Sequence, residues 1–372
     1  MAKKIYVGVG GTARKVSKAY VGVGNTARAI KKGYIGIGGI ARQFWPGGEL
    51  VYYGTAAILS SERSQLAATT VGNYALFGGG YVSNSNTTDI VDAYDNNLTL
   101  STPASLNRKR GGLAATSVGN YALFGGGMLN TSYTVNNVDA YNNNLVRSTL
   151  SGLTTTRHRL AATTVGNYAL FGGGSTEDED NNVPQVIVDA YNNNLTRSNP
   201  TSLSDSRYYL AATTVGNYAL FGGGFYTKST VDAYDTSLTR STPASLSTGR
   251  YSLAATTVGN YALFGGGNAG SSPSGVVDVY DTNLTHSTPI SLSVGRRYLV
   301  ATTLGNYALF GGGDDYTDIV DAYDNNLIHS IPTGLISGRY QLAATTVGNY
   351  ALFGGGRASS GYSSTVDVYT IT

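Results

Sequence analysis

Seven arginines recur at one place in a repeated sequence, and their type and spacing could support binding chemistry. Each lies three residues before a leucine that opens a near-identical 15-residue segment, which reads LAATTVGNYALFGGG in its first copy. A guanidinium group binds a carboxylate or a phosphate through two parallel hydrogen bonds. Tyrosines directly follow three of these arginines, and a tyrosine face beside polar groups suits a sugar ring. The candidate ligand-binding residues are Arg63, Arg110, Arg157, Arg207, Arg250, Arg296, Arg339, Tyr208, Tyr251 and Tyr340.

A structural role for the same arginines is the alternative. A residue present in every repeat more often serves the repeat itself, by pairing with a constant acid or by donating to nearby carbonyl groups. One aspartate also recurs in every copy, and the seven that could pair with the arginines are Asp92, Asp139, Asp189, Asp232, Asp278, Asp321 and Asp367. The two roles can coexist, and the sequence leaves both open.

The repeat spacing indicates the architecture that positions these residues. The period is 43 to 50 residues, with copies that begin at Leu66, Leu113, Leu160, Leu210, Leu253, Leu299 and Leu342. In the first copy, residues 66–71, 74–77, 90–94 and 98–106 predict four strands, which we call a, b, c and d, with a tight turn at Gly72-Asn73. Four antiparallel strands repeated at this period predict an all-β protein, a seven-bladed propeller.

The two ends of the repeat region predict how the ring closes. The last copy has no strand d, whereas residues 50–63 precede the first strand a and align with the strand-d segments of the other copies. We expect this N-terminal strand to complete the last blade, because closure removes the free edge that an open stack would expose.

The sequence that connects strands b and c resembles a known repeat family. YALFGGG is followed by a variable loop and then by VDAYD or a close variant, and this pattern resembles the kelch repeat over residues 50–372. The resemblance implies a kelch-like propeller. The tryptophan of that family is missing, and the nearest residues are Leu98, Leu145, Leu195, Leu238, Leu284 and Leu327.

The first 48 residues differ from the rest in repeat length and in charge. Residues 3–44 contain three copies of a 14-residue unit, the first being KKIYVGVGGTARKV, and each copy predicts a strand, a glycine turn and a return strand. Residues 1–48 hold nine Lys and Arg and no acid, whereas residues 49–372 hold 16 basic and 22 acidic residues. We therefore predict a basic attachment module over 1–48 and a propeller over 49–372.

The basic module carries a second resemblance. Over residues 3–45 it is similar to N-terminal modules in tail and baseplate-associated proteins of phages and prophages from Firmicutes. The resemblance implies a virion protein that is attached to other tail or baseplate proteins through residues 1–48. A module of this size buries too little surface to be very stable alone, so we expect it to dock on a partner or on further copies of itself.

Variation among the copies is confined to one predicted face. The Gly-Asn turn between strands a and b is the same in all seven copies. The loops between strands b and c differ in length and chemistry, from DDYTD to STEDEDNNVPQVI, and share a face with the connections that hold the arginines. Such one-sided variation often marks a binding face. Drift in unconstrained surface loops is the alternative.

Signals for catalysis or for a cofactor are weak. Cysteine is absent, which excludes disulfides, thiolate metal sites and a cysteine nucleophile. His286 and His329 share one strand-d position with leucine and arginine in other copies, so we expect them to be solvated, and His158 follows Arg157 in a loop. The acidic run 177–180 lacks the spacing of a calcium loop. We expect no enzyme, no cofactor and no metal.

Localisation follows from the same residues. The N-terminus shows no secretory signal, and no segment approaches the about 18 apolar residues of a membrane span. The tyrosines of the basic module recur as strand positions rather than as a base-stacking motif, so we expect no nucleic-acid partner. With these features we expect synthesis in the bacterial cytoplasm, and the resemblance of residues 3–45 to phage tail and baseplate modules implies assembly into a virion tail.

The sequence thus favours a phage or phage-like particle protein that displays a propeller, with a host-surface glycan as the expected receptor and homo-oligomers on the particle. The alternative is a purely structural decoration or collar protein. A host-cell kelch adaptor that binds peptides is a third option, and an enzyme is the last.

Overall fold

A computed structural model describes residues 6–9, 12–15, 20–23, 26–29, 33–37, 40–45, 48–130, 133–178 and 181–372. The chain divides into two compact units, one made of Met1–Val51 with Ile371–Thr372 and the other of Tyr52–Thr370. No helix lies in the described residues. The predicted boundary between residues 48 and 49 stays a prediction.

Seven four-stranded antiparallel sheets form the blades of a β-propeller, which confirms the predicted fold. The first two strands of each blade are joined by the Gly-Asn turn. Strands a are Ala67–Val71, Ala114–Val118, Ala161–Val165, Ala211–Val215, Ala254–Val258, Val300–Leu304 and Ala343–Val347. Strands b are Tyr74–Gly78, Tyr121–Gly125, Tyr168–Gly172, Tyr218–Gly222, Tyr261–Gly265, Tyr307–Gly311 and Tyr350–Gly354.

The outer two strands of each blade follow the variable loop. Strands c are Val91–Asp95, Val138–Asn142, Val188–Asn192, Val231–Tyr234, Val277–Asp281, Val320–Asp324 and Val366–Ile371. Strands d are shorter, and in blades 1 to 6 they are Leu100–Ser101, Arg147–Thr149, Arg197–Ser198, Arg240–Ser241, His286–Ser287 and His329–Ser330. Two variable loops contain hairpins of their own, Ser175–Asp178 with Asn181–Pro184 and Arg357–Ala358 with Gly361–Tyr362.

The seventh blade takes its outer strand from the N-terminal side of the propeller, as the sequence predicts. Leu50–Thr55 lies beside Val366–Ile371 in the sheet of blade 7. Tyr52 Oη donates a hydrogen bond of 2.8 Å to Asp367 Oδ1. The ring is therefore closed by residues that are more than 300 positions apart in the sequence.

The turn between strands c and d explains the leucine that stands nearest to the missing tryptophan. In blade 1, Asp95 Oδ1 accepts hydrogen bonds of 2.8 Å from the backbone N–H groups of Asn97 and Thr99. Leu98 between them has a left-handed backbone, with φ of 62°, and its side chain packs against the adjoining core. The aspartate-supported turn stabilises this conformation, which is uncommon for leucine.

Neighbouring blades pack through the phenylalanine and the first glycine of the YALFGGG segment. A Cβ atom added to Gly78 of blade 1 would lie 2.7 Å from Phe124 Cε1 of blade 2. The same close approach recurs around the ring and includes Gly354 of blade 7 against Phe77 of blade 1. This glycine is constant because the ring of the next blade occupies the space of its side chain.

Strands a are innermost and are joined directly to each other. Thr70 Oγ1 of blade 1 lies 2.8 Å from Thr345 Oγ1 of blade 7. Equivalent threonine pairs at 2.7 to 2.9 Å join blades 2 and 3, 3 and 4, 4 and 5, and 5 and 6. Hydroxyl groups can donate and accept at once, so small polar side chains suit the crowded axis of the ring.

The N-terminal unit contains three separate antiparallel hairpins in its described residues, one for each 14-residue repeat. They are Tyr6–Val9 with Thr12–Lys15, Tyr20–Val23 with Thr26–Ala29, and Gly33–Ile37 with Ile40–Trp45. The predicted strand and return strand of each repeat are confirmed, and the predicted glycine turns lie outside the described residues.

Candidate functional site

The seven arginines of the repeat are buried and paired with the seven constant aspartates. Four pairs have nitrogen–oxygen distances of 2.6 to 2.7 Å, namely Arg63–Asp92, Arg110–Asp139, Arg250–Asp278 and Arg296–Asp321. The other three are Arg157–Asp189, Arg207–Asp232 and Arg339–Asp367. The exposed fraction of every arginine and aspartate side chain in these pairs is 0 or 1%. We call these pairs the clamps.

Each clamp attaches the connection between two blades to strand c of the second blade. In blade 1, Asp92 accepts from the backbone N–H of Ser60 at 3.2 Å, and Arg63 donates to the Phe77 carbonyl at 3.2 Å. The strand-c tyrosine adds a further bond, since Tyr94 Oη donates to the Ala57 carbonyl at 2.7 Å. The clamp therefore fixes the incoming chain to two strands of the blade that it enters.

Burial and charge act in opposite directions on the ionisation of a clamp. Burial lowers the pKa of Arg63, and the charge of Asp92 opposes that shift. Burial raises the pKa of Asp278, but the charge of Arg250 and hydrogen bonds from Ser247 and His286 outweigh it, so the pKa is lowered. Asp278 is thus held ionised beside an arginine that is always protonated.

This placement corrects the interpretation of the arginines as a ring of ligand-binding groups at the channel mouth. A ligand in solvent cannot reach guanidinium groups that are fully buried and already bonded to carboxylates and carbonyls. The alternative, a structural role in each repeat, agrees with the burial and pairing of all seven residues, which are Arg63, Arg110, Arg157, Arg207, Arg250, Arg296 and Arg339.

The channel mouth is formed instead by the residue two positions after each arginine. These residues, which we call the mouth ring, are Gln65, Gly112, Arg159, Tyr209, Ser252, Tyr298 and Gln341, and all have left-handed backbones with φ between 50° and 62°. Each backbone N–H donates to the carbonyl of the same position in the preceding blade, at 2.9 to 3.0 Å, and Gln65 donates to Gln341. Seven hydrogen bonds therefore form a closed ring around the axis.

Side chains of the mouth ring line a cavity of about 180 Å³. It is walled by Tyr209, Tyr298, Gln65, Gln341 and Ser252 together with the leucines that directly precede strands a of blades 4 to 7. Aromatic and aliphatic walls with a few amide and hydroxyl groups are typical of small-molecule sites.

A second variable position lies just outside the mouth ring. The residue directly after each arginine pairs with the first residue of the b–c loop of the same blade, as Ser64 does with Tyr81 through backbone bonds of 2.8 and 3.0 Å. In blade 6 the partners are Arg297 and Asp314, which form an ion pair of 2.8 Å. This pairing places the b–c loops beside the channel mouth, on the face that the sequence predicts.

The three predicted binding tyrosines occupy this outer position. Tyr208 is only 5% exposed and stacks on Phe225 with ring centroids 4.7 Å apart. Tyr251 and Tyr340 are half-buried; Tyr340 contacts Tyr298 at 6.3 Å and Tyr316 at 5.7 Å. Burial raises the pKa of Tyr208 and of Tyr340. Whether these tyrosines bind a ligand stays a prediction.

Sequence reasoning did not identify the mouth ring. A signal was present, because the position two residues after a constant arginine holds five different residue types in seven copies. The arginines stood out because they are the same in every copy. The residues around the axis together form one surface, so each blade can contribute a different side chain to it.

A second cavity, of about 310 Å³, lies on the same face between the b–c loops of blades 6 and 7. Its walls include Glu62, Tyr316, Ser359 and Tyr362. Arg357 and Tyr362 both donate to Asn84 Oδ1, at 3.2 and 3.1 Å, which joins the loop of blade 7 to that of blade 1.

The histidines are less exposed than the sequence suggested. His286 Nε2 lies 2.7 Å from Asp278 Oδ1, and His329 Nε2 lies 2.6 Å from Asp321 Oδ1, with side chains 20 and 13% exposed. They are second partners of clamp aspartates, a position that Arg147, Arg197 and Arg240 take in other blades. The expectation that they are solvated is therefore wrong.

His158 is also buried, and its Nδ1 lies 3.1 Å from the Ser175 carbonyl oxygen. Burial and the charge of Arg159 lower its pKa to about 3. In the described part of the chain, no three His, Asp or Glu side chains are placed to hold a metal ion. In the acidic run 177–180, residues 179–180 lie outside the described residues.

Comparisons with known proteins support the fold alone. No protein-family model matches the sequence, and a search of curated proteins finds no match. Among solved structures, the chain is similar to the structure of YjhT, with a TM-score of 0.58 and 12% sequence identity over 75% of this chain and 99% of that one. At this identity the likeness shows a shared propeller architecture, consistent with kelch-like repeats. None of the described residues forms a helix long and apolar enough to cross a membrane.

Proposed function

We propose that this protein is a phage or phage-like particle component, attached to a tail or baseplate, whose propeller binds a glycan on the host surface. The observation that carries the proposal is one-sided variation. The Gly-Asn turns are the same in every blade and mark one nearly constant face, whereas the opposite face varies at the mouth ring, at the outer position and in every b–c loop. Packing explains the constant residues, and ligand recognition explains a variable face.

The chemistry of the variable face supports a sugar ligand. Two tyrosines, two glutamines and one serine of the mouth ring line the mouth cavity. Arg159 of the ring lies over Tyr209, and the basic side chain Arg297 is neutralised by Asp314. These groups offer aromatic faces together with hydrogen-bond donors and acceptors, which suit the apolar faces and hydroxyl groups of a pyranose. They include no catalytic arrangement of nucleophile and base, so we propose a binding protein rather than an enzyme.

The basic module supports attachment to a particle. Its three hairpins have strands of four to six residues, and isolated two-stranded hairpins are marginally stable in water. We propose that residues 1–48 dock on acidic surfaces of tail or baseplate proteins, because nine positive and no negative charges favour such a partner. Several copies on one virion, made in the bacterial cytoplasm, would raise the avidity of weak single sites.

A loop exchange tests receptor binding. The b–c loop of blade 4, residues 225–230, is replaced by that of blade 6, residues 314–319, and the full chain is assayed on host cells and on a glycan array. We expect a loss of binding of about ten-fold or more, because recognition groups are removed from the variable face. The matched control is Asn325→Thr on the constant face, which copies Thr282 of blade 5.

Equal binding by the loop exchange and the wild type would contradict receptor binding through this face. It would favour the rival, a decoration or collar protein whose propeller contacts only particle proteins or solvent. Imaging of an intact particle separates the two, since an outermost, distal propeller supports receptor binding and a propeller enclosed by other proteins supports the rival.

A further inference from the structure

Eight aromatic rings form a continuous contact network across the variable face of blades 4 to 7. From Tyr226 the contacts pass through Phe225 at 4.7 Å to Tyr208 and Tyr251, at 4.7 and 4.9 Å. They continue through Tyr209 to Tyr298 at 5.9 Å, and end at Tyr340 and Tyr316. We call these eight residues the aromatic arc. It crosses the channel mouth, because Tyr209 and Tyr298 also belong to the mouth ring.

Both ends of the arc are exposed tyrosines on strained loops. Tyr226 is 68% exposed with φ of 63°, and Thr227 after it has φ of 51°. Tyr316 is 45% exposed with φ of 52°, and Asp315 before it has φ of 56°. Consecutive left-handed residues other than glycine are costly and concentrate at functional sites. The loops of blades 4 and 6, which are not adjacent, thus each expose a tyrosine through a left-handed backbone. These two tyrosines lie at opposite ends of one network.

The blades outside the arc lack this character. Blades 1 and 2 contribute Gln65 and Gly112 to the mouth ring, and blade 3 contributes Arg159, whose guanidinium lies over the Tyr209 ring at 4.7 Å and donates to Asn182 Oδ1 at 3.2 Å. The type of side chain at the channel mouth therefore differs between the two halves of the ring. Aromatic faces occupy one side, and amide, guanidinium and open positions occupy the other.

One of the two guanidinium groups that lie over rings of the arc is neutralised by an acid. The guanidinium of Arg297 lies 5.5 Å from the Tyr298 ring centroid but is bonded to Asp314 by its side chain and through the backbone N–H. The clamp arginines beneath the arc are buried and paired. A ligand laid along the arc would therefore meet aromatic faces, one neutralised ion pair and the guanidinium of Arg159 over the Tyr209 ring. The large aromatic area favours the apolar face of an uncharged sugar.

We infer that the aromatic arc is an extended binding platform for a neutral oligosaccharide of several pyranose rings. The inference deepens the proposed glycan binding and rests on it. Successive sugar rings stack along the arc from Tyr226 towards Tyr316, and hydroxyl groups of the central rings bond to Gln65, Gln341 and Ser252 in the mouth cavity. A single sugar would contact only a small part of this surface.

The test compares three tyrosine variants of the full chain. Tyr226→Ala and Tyr316→Ala each remove one exposed end of the arc, and Tyr133→Ala removes a tyrosine that is 66% exposed on the loop of blade 2, away from the arc. Because all three side chains are exposed, we expect the variants to fold, which circular dichroism and thermal melting check. The probes are malto- and chito-oligosaccharides of one to six units, with polyglycerol phosphate as the anionic probe and a proline-rich peptide as the extended peptide probe.

For the wild type we expect affinity for one neutral series to rise with chain length. Each arc variant should bind the longer oligosaccharides about ten-fold more weakly, with the Tyr133→Ala protein unchanged. Unchanged binding by both arc variants, equal affinity for one unit and for six, or preference for the anionic or peptide probe would overturn the arc as a neutral oligosaccharide site. Absence of all sugar binding by the wild type would overturn the proposed glycan function as well.

Discussion

The clamp arginine and the mouth-ring residue two positions later lie on the same segment of each blade, yet they have opposite properties. Arg250 is the same residue in every blade, fully buried and paired with Asp278, whereas Ser252 is replaced by Gln, Gly, Arg or Tyr elsewhere and lines the channel mouth. Each clamp attaches the connection between two blades to the second blade. The same contact is made seven times, so the same residue is needed seven times. The mouth-ring residues of all blades instead meet around one central axis, and each blade contributes a different part of a single surface.

This contrast shows how to interpret constancy inside a repeat protein. Constant residues reveal what each blade needs in order to pack on its neighbour, as with Gly78 against Phe124. Positions that differ between blades while the backbone stays the same, such as those of the mouth ring, are free to specify a ligand.

The largest expected effect comes from breaking one clamp. Arg250→Met removes the buried cation beside Asp278 and leaves only His286 and the Ser247 N–H bonded to that carboxylate. We expect the free energy of unfolding to fall by about 3 kcal/mol, the lower end for a broken buried pair. Urea denaturation of the purified chain measures it. The control is Arg108→Met, an exposed arginine in the connection between blades 1 and 2, which should change stability by no more than about 0.5 kcal/mol.

A double variant sharpens this test. Adding Asp278→Leu to Arg250→Met removes the buried charge, and most of the lost stability should return. If Arg250→Met lowers the free energy of unfolding no more than Arg108→Met does, the clamp does not stabilise the connection between blades. The clamp and mouth-ring positions would then not differ in their importance for stability.

A smaller effect is expected from His158, which lies between a clamp and the mouth ring. Its pKa is about 3 in the folded chain, against an ordinary value of 6.5, so the unfolded chain binds more protons below about pH 6.5 and acid favours unfolding. Between about pH 7 and pH 5 this group should cost the wild type about 2 kcal/mol of stability.

His158→Ser copies Ser64, which stands at this position in blade 1. The variant should lose correspondingly less stability than the wild type when urea denaturation is repeated at the two pH values. An identical pH dependence for the two proteins would show that His158 is solvated or protonated in the folded chain.

The smallest effect is expected at the mouth ring itself. Gly112→Gln introduces the residue that Gln65 and Gln341 already provide at the same left-handed backbone, and the nearest atom to an added Cβ is 3.8 Å away. We expect thermal melting to show a stability change within about 1 kcal/mol. A loss as large as that of Arg250→Met would mean that the mouth positions, like the clamps, are fixed by packing.

Much of the architecture could be predicted because local sequence signals repeat seven times. Gly72-Asn73 predicts a hairpin whatever surrounds it, and the missing strand d of the last copy predicts closure by residues near 50. The candidate site was predicted only in part. The placement of the b–c loops and the arginine connections on one face was correct. Arg63 and its equivalents, however, fit a ligand site and a buried ion pair equally well until the position of Asp92 is known.

The sequence by itself determined the number of blades, their strand order and the face on which they differ, since turn chemistry and strand pattern are local and recur in each copy. Only the tertiary structure decided which residue of each connection reaches the channel mouth. That choice depends on a left-handed backbone at Gln65 and its equivalents and on hydrogen bonds between successive blades. The adjacency of Tyr209, Tyr298 and Tyr340 likewise arises only when separate repeats meet around a common axis.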